Sequence, residues 1–238
     1  LFLRKGLLDE AISEFEYAIE KKSDLIEPFT NLGIAHIQKG NFSEAVRILQ
    51  KGCELKPNFA DLRNNLGLAY GKNQQYVEAL EEYQTALKIN PNYTIVHLNI
   101  AITYLESIQP HPEVNPLPDV AARKALVSDI FQKTLASNPD FATFRFYTFR
   151  FEKIIKHIQA NAVKQALEII QEIKDSIQKP NLDETIHGFY LKFLFGGAGK
   201  DEKVLADYRL QLEKAVEENP QYADLHNSLG LVYLIQCR

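Results

Sequence analysis

The amino-acid sequence has no long apolar run and few cysteines. The longest candidate for a membrane span, residues 229–235, has seven residues, whereas a spanning helix needs about 20. Cys53 and Cys237 are too few for a disulfide framework, so we expect both to be thiols in a reducing compartment. No secretory signal opens the chain, and we expect a cytoplasmic protein, although the first residue is not methionine and a targeting segment could precede it.

The charge balance argues against one class of partner. The 238 residues carry a formal net charge of −4, whereas general nucleic-acid binders are basic. We therefore expect no nucleic-acid partner. The hydrophobic fraction of 45% is sufficient for a continuous core.

A pattern of 34 residues organises the chain. Residues 26–59 and 60–93 carry residues of similar size at the same offsets, without a gap. Small residues recur where helices are expected to cross closely, and large residues fill the spaces between the crossings. A proline closes each unit because its ring cannot continue a helix. The matching residues are Leu32, Gly33, His36, Ala45, Leu49, Gly52 and Pro57 in one unit and Leu66, Gly67, Tyr70, Ala79, Tyr83, Ala86 and Pro91 in the next.

This pattern resembles the tetratricopeptide repeat, a helix–turn–helix unit of the same period. The resemblance implies an all-α fold, a right-handed α-solenoid of stacked helix pairs, in which each pair buries its apolar face against its neighbours. One family residue is missing. The tryptophan common at the fourth position is replaced by Phe29, Arg63, His97 and His226.

The rest of the chain is interpreted as further units of a single solenoid domain, residues 1–238. The third unit contains a proline-rich insertion, which cannot be helical. The units are a half repeat at 1–25, repeats at 26–59, 60–93 and 94–141 with the insertion at 109–118, a divergent unit at 142–181, a fifth at 182–222, and a half repeat at 223–238.

The divergent unit contains a basic helix rich in aromatic residues. Its phenylalanines surround the helix instead of forming one stripe, which predicts burial on more than one side. Four basic residues, Arg145, Arg150, Lys153 and Lys156, form a patch in an otherwise acidic chain. We interpret this patch as a solvated face, with a docking site for an acidic peptide or for single-stranded nucleic acid as the alternatives.

No arrangement of residues points to catalysis. The six histidines are scattered, and no Ser-His-Asp, Cys-His or metal-binding His-Glu-x-x-His pattern appears. The glycine-rich stretch at 196–202 lacks the first glycine and the Ser or Thr of a phosphate-binding loop. The sequence predicts no catalytic residue, no metal site and no cofactor.

In the tetratricopeptide family the first helix of each repeat lines a concave groove where ligands lie. Asn31, Asn65 and Asn99 recur at the sixth position of three repeats, and an amide can pair with the main chain of a peptide. This ladder resembles the groove of the O-linked N-acetylglucosamine transferase repeat arm. The alternative is a consensus asparagine without a dedicated role. The predicted groove residues are Asn31, Asn64, Asn65, Asn99, Asn227, Ile34, Leu68 and Ile102.

These features favour a non-catalytic scaffold that binds a peptide or helix of a partner protein in the groove. Two alternatives stay open. One is self-association, in which the half repeat at 223–238 pairs head to tail with the half repeat at 1–25 of another molecule. The other is a repeat arm that presents substrates to a larger enzyme, such as a glycosyltransferase.

Overall fold

The protein is all-α in the residues that the structure, a computed structural model, describes: 2–22, 24–108, 117–137, 145–178 and 202–236. Its helices form an α-solenoid of helical repeats, as the sequence pattern predicts. The described helices are α1 Phe2–Lys21, α2 Ile26–Lys39, α3 Phe42–Leu55, α4 Ala60–Lys72, α5 Tyr76–Ile89, α6 Thr94–Glu106, α7 Val120–Ser137, α8 Arg145–Gln159, α9 Val163–Gln178, α10 Glu202–Glu218 and α11 Ala223–Gln236.

Several predicted features lie outside the described residues. They are residues 109–116 of the proline-rich insertion, residues 182–201 of the fifth unit with most of its glycine-rich stretch, the side chain of Arg145, and Cys237.

The turns inside three helix pairs share one geometry. Gly40, Gln74 and Asn161 have positive φ angles of 83°, 63° and 58°, the left-handed conformation that commonly ends a helix. After each of them, the next backbone N–H donates to a carbonyl five residues back, for example from Asn41 to His36 at 2.9 Å. The divergent pair α8–α9 therefore turns in the same way as α2–α3 and α4–α5.

Small residues lie at the helix crossings, as predicted. A Cβ atom built on Gly33 would approach Cγ of Leu49 to 2.4 Å, and one built on Gly67 would approach Cε1 of Tyr83 to 2.6 Å. Both distances are well inside carbon–carbon contact. A larger residue at either position would force the two helices apart.

The chain divides into two compact units. Residues 1–57 and 180–238 form unit 1, which contains α1–α3, α10 and α11, and residues 58–179 form unit 2, which contains α4–α9. The organisation of residues 1–238 as one continuous domain stays a prediction.

In unit 1 the helices pack in the order α10, α11, α1, α2, α3. Helix α11 lies along α1, and the two helices share one core with α2 and α10 that includes Phe15, Leu32 and Leu229. Residues 223–236 thus serve as the first helix of a repeat whose second helix is residues 2–21. We call this pair the composite repeat. The pairing that the sequence suggested between molecules is made here within one chain.

In unit 2 the last four helices pack in a closed cycle, in which α6 contacts α7, α7 contacts α8, α8 contacts α9, and α9 returns to α6. Their shared core contains Leu98, Phe131, Phe151 and Ile170, all at most 1% exposed. The rings of Phe131 and Phe151 are tilted, with centroids 5.0 Å apart. The first helix of the third repeat is therefore covered by α9.

Candidate functional site

The predicted groove residues occupy the fifth, sixth and ninth positions of four first helices, which we call the groove face. Residues three or four apart lie on the same side of a helix, so each helix presents an amide and an aliphatic side chain together. Asn31 and Ile34 lie on α2, Asn64, Asn65 and Leu68 on α4, Asn99 and Ile102 on α6, and Asn227 on α11.

In unit 1 the structure pairs two of the predicted asparagines. The amide of Asn31 donates to the side-chain oxygen of Asn227 at 3.0 Å, and both residues are half-buried. Among the described residues, neither amide makes a further hydrogen bond. The carbonyl of Asn31 and the NH₂ group of Asn227 are therefore available to a ligand as one acceptor and one donor group.

In unit 2 the equivalent pair of asparagines is buried. The amide of Asn99 donates to the side-chain oxygen of Asn64 at 2.7 Å, and these residues are only 2% and 5% exposed. The oxygen of Asn99 is buried and has no partner in the described part of the chain. This pair joins consecutive repeats and is inaccessible to a peptide in the structure.

The hydrogen bonds do not follow the predicted line of Asn31, Asn65 and Asn99. In both units an asparagine at the sixth position of one repeat donates to one at the fifth position of the preceding repeat. The fifth and sixth positions thus act together, which the spacing of the sixth position alone did not reveal. Asn65 lies half-buried on α4 beside the half-buried Leu68.

Helix α9 covers part of the predicted groove face. Ile102 packs against the core cluster of α6–α9, which also contains Ile169, Ile170 and Ile173 of α9. Leu98, the other aliphatic residue on this side of α6, is fully buried. The third repeat therefore binds a helix of its own chain on the surface where the sequence predicted a partner.

One aliphatic groove-face residue was missed in the sequence. Leu231 occupies the ninth position of α11, as Ile34, Leu68 and Ile102 do in their own repeats. It is half-buried and packs against the core of unit 1. Aligning the last half repeat with the other first helices would have identified it.

A cleft of about 460 Å³ lies at one edge of unit 2, between the C-terminal ends of α4 and α6 and the start of α9. The Lys72 ammonium is 3.2 Å from a carboxylate oxygen of Glu106, so these two lining charges compensate each other. Burial and the Glu106 carboxylate raise the pKa of Tyr76, another lining residue. The phenol stays neutral at physiological pH.

The basic patch of the divergent unit is only partly available. Arg150 lies 2.5 Å from a carboxylate oxygen of Glu172 on α9, which offsets its charge. Lys153 and Lys156 are exposed. Two lysines on one helix do not make a recognition site by themselves.

Three of the described histidines, His36, His97 and His226, occupy matching positions of first helices or contact the turn before one. His97 and His226 each donate from Nε2 to the carbonyl of the proline six residues earlier, at 3.2 and 3.1 Å. His36 is 6% exposed, and neither ring nitrogen has a partner among the described residues. Burial lowers the pKa of His36, although Glu44 and Glu16 partly oppose this effect.

The described ranges contain neither a metal-binding cluster nor a membrane-spanning helix. No group of three His, Cys, Asp or Glu side chains there is arranged to hold a metal ion. None of the helices in the same ranges combines the length and apolar character needed to cross a membrane.

Comparisons with known proteins identify the repeat. A model described as "Tetratricopeptide repeat" matches residues 60–93, and a second, described as "TPR repeat", matches residues 35–74. No curated protein matches the sequence.

Solved structures of repeat proteins resemble the fold. A tetratricopeptide repeat protein from Parabacteroides merdae is 16% identical, and the match covers 98% of this chain and 94% of that chain with a TM-score of 0.50. YrrB, described as a TPR protein with an unusual peptide-binding site, is 14% identical over 93% of this chain and 96% of its own, with a TM-score of 0.43. An O-GlcNAc transferase from Thermobaculum terrenum is 22% identical over 55% of this chain and 26% of its own, with a TM-score of 0.42. At 16% identity the likeness to the Parabacteroides merdae protein concerns the fold alone.

Proposed function

Since this chain is a tetratricopeptide repeat protein, we propose that it is a non-catalytic scaffold that binds an extended peptide of a partner protein across the groove face of α2 and α11. One observation carries the proposal. The bonded amides of Asn31 and Asn227 keep unused donor and acceptor groups, and the half-buried Ile34 and Leu231 lie beside them.

The chemistry of this face suits a main chain. A peptide residue offers one N–H donor and one C=O acceptor, which match the unused oxygen of Asn31 and the unused NH₂ group of Asn227. The bond between the two amides holds them in place before the peptide arrives, so less conformational entropy is lost on binding. In an extended peptide, side chains alternate in direction. Those facing the protein would contact Ile34 and Leu231, which favours apolar residues at every second position.

Unit 2 contributes less to the proposed site. Its amide pair, Asn64 and Asn99, is buried, and α9 packs on α6. On α4, Asn65 and Leu68 remain half-buried and would supply a separate, smaller contact. Unit 1 would therefore supply the main binding surface.

The experiment selects peptides from a random phage-displayed library on the wild-type protein and measures one of them by fluorescence anisotropy. Replacing both Asn31 and Asn227 by alanine should weaken binding roughly tenfold or more, because two hydrogen bonds of about 1 kcal/mol each are lost. Asn92→Ala is the matched control, since Asn92 is exposed in a turn. A peptide N-methylated at the contacting residue loses one of the two hydrogen bonds, so it should bind the wild type more weakly than the parent peptide does, and this difference should be smaller in the double variant. Unchanged affinity in a double variant with a normal melting curve would refute the proposal.

A further inference from the structure

The interface between α1 and α11, which we call the joint, has the same contacts as the interface within an ordinary helix pair. A Cβ atom built on Gly230 would approach Cε1 of Phe15 to 2.6 Å, and the corresponding distance from Gly67 to Cε1 of Tyr83 is also 2.6 Å. Gly230 and Gly67 hold the same position in their repeats, as do Phe15 and Tyr83. The composite repeat thus has the crossing of a repeat that is continuous in sequence.

A polar side-chain contact occupies the same position in the two kinds of repeat. In the continuous repeat, Arg63 donates to the Glu82 carboxylate at 2.9 Å. In the composite repeat, the ring of His226 contacts the carboxylate of Glu14. His226 and Arg63 both occupy the fourth position of a first helix, and Glu14 lies two periods before Glu82.

The next junction is also equivalent. The bond from Asn31 to Asn227 joins α2 to the composite repeat at 3.0 Å, as the bond from Asn99 to Asn64 joins α6 to the repeat before it at 2.7 Å. The helix crossing, the polar side-chain contact and the hydrogen bond to the next repeat therefore agree between the two kinds of repeat. The surfaces of α1 and α11 are complementary in the way that two helices of one repeat are.

One property separates this joint from the others. In the continuous pairs, a short turn such as that at Gly40 connects the first helix directly to the second. No such turn connects α11 to α1, whose paired residues His226 and Glu14 are 212 positions apart. Nothing in the contacts themselves requires that both helices belong to the same molecule.

We propose that a second copy of this chain is a partner for the joint, with α11 of one copy packing on α1 of the other through the same contacts. This is an exchange of identical elements between molecules. Both faces are strongly apolar: Ala11, Phe15 and Ala18 on α1 are fully buried, and Leu229 and Val232 on α11 are at most 2% exposed. A molecule whose joint is open therefore exposes the apolar faces of α1 and α11. These faces can be buried again by closure of the same joint or by the matching face of another copy. At low protein concentration the joint closes within one chain, and the fraction of molecules that exchange helices increases with protein concentration.

The test uses two variants that each destroy one face. Phe15→Asp places a carboxylate on the crossing face of α1, and Gly230→Glu fills the space that α11 leaves for the Phe15 ring. Neither variant can close its own joint. A mixture of the two contains one intact pairing, α11 of the first variant on α1 of the second. Light scattering after size exclusion should show an equimolar complex of twice the 27.2 kDa chain mass.

The matched control is the double variant with both substitutions, which has no intact face and should stay at the mass of one chain when mixed with either single variant. Absence of a complex between single variants that retain their helical circular dichroism would overturn the proposal. If a variant loses its helical circular dichroism, the proposal is tested with the wild-type protein instead. Two differently tagged wild-type copies, partly unfolded together and refolded at high concentration, should then co-purify. Failure to co-purify would overturn the proposal equally.

Discussion

Gly67→Ala and Gly71→Ala are the same substitution in the same helix, and the structure predicts opposite effects. The added Cβ at Gly67 would lie 2.6 and 2.8 Å from ring carbons of Tyr83 and 3.0 Å from the backbone oxygen of Ala79. Tyr83 is 1% exposed, so its ring has little room to move. At Gly71 the nearest atoms, on Thr103 and Ala79, are 3.7 and 3.9 Å away, which is ordinary contact.

The magnitudes follow from two opposing contributions. Alanine stabilises a helix by about 1 kcal/mol relative to glycine in the interior, and by less near the helix end where Gly71 lies. Overpacking a filled core costs about 1–3 kcal/mol. We therefore expect Gly67→Ala to lower the free energy of unfolding by roughly 0–2 kcal/mol. Gly71→Ala should raise it by roughly 0.5–1 kcal/mol.

The assay is urea denaturation of both variants and the wild type, followed by far-ultraviolet circular dichroism. Both substitutions increase helix propensity, and Gly71→Ala increases it less because Gly71 lies near the helix end. A lower stability of Gly67→Ala than of Gly71→Ala therefore reports the clash with Tyr83. In a Tyr83→Ala background the clash with the ring is absent, so Gly67→Ala should raise the free energy of unfolding relative to Tyr83→Ala alone instead of lowering it. Equal stability of the two single variants would refute the close crossing of α4 and α5.

Further predictions concern the core, two helix contacts and pH. Ala79→Leu should cost about 1–3 kcal/mol, because Ala79 is fully buried at the same crossing; an unchanged thermal midpoint would contradict this. Asp119→Ala should cost about 1 kcal/mol, since the Asp119 carboxylate accepts the Ala122 N–H at 2.8 Å, and Asp119→Asn should retain most of that stability. Ile170→Ala should cost about 2–5 kcal/mol if α9 fills the core beneath α6; a small effect in urea denaturation would argue against that packing. Burial lowers the pKa of His36, so the unfolded chain takes up a proton first, and stability should fall as the pH drops below about 6.5. His36→Tyr should reduce this loss, and an equal pH dependence in both proteins would contradict the assignment.

Much of the fold follows from residue size at fixed offsets. The crossings at Gly33 and Gly67 and the ends of α3 and α5 before Pro57 and Pro91 were predicted. These features depend on local chemistry, because a proline ring ends a helix wherever the helix packs. The groove residues were also placed on the expected helices. Their hydrogen-bonded pairing was not predicted. Asparagines that recur at the sixth position of several repeats do not show which side chain of the preceding repeat each of them contacts.

The sequence by itself determined the tetratricopeptide repeats within residues 35–93 and their helix pairs, because small and large residues recur there at a fixed period. Only the tertiary structure decided which faces are covered. Helix α9 packs on α6, and α11 packs on α1, although neither contact is between neighbours in sequence. The physical reason is that an apolar helix face specifies burial but does not specify the partner. Shape, charge and distance in the folded chain select that partner.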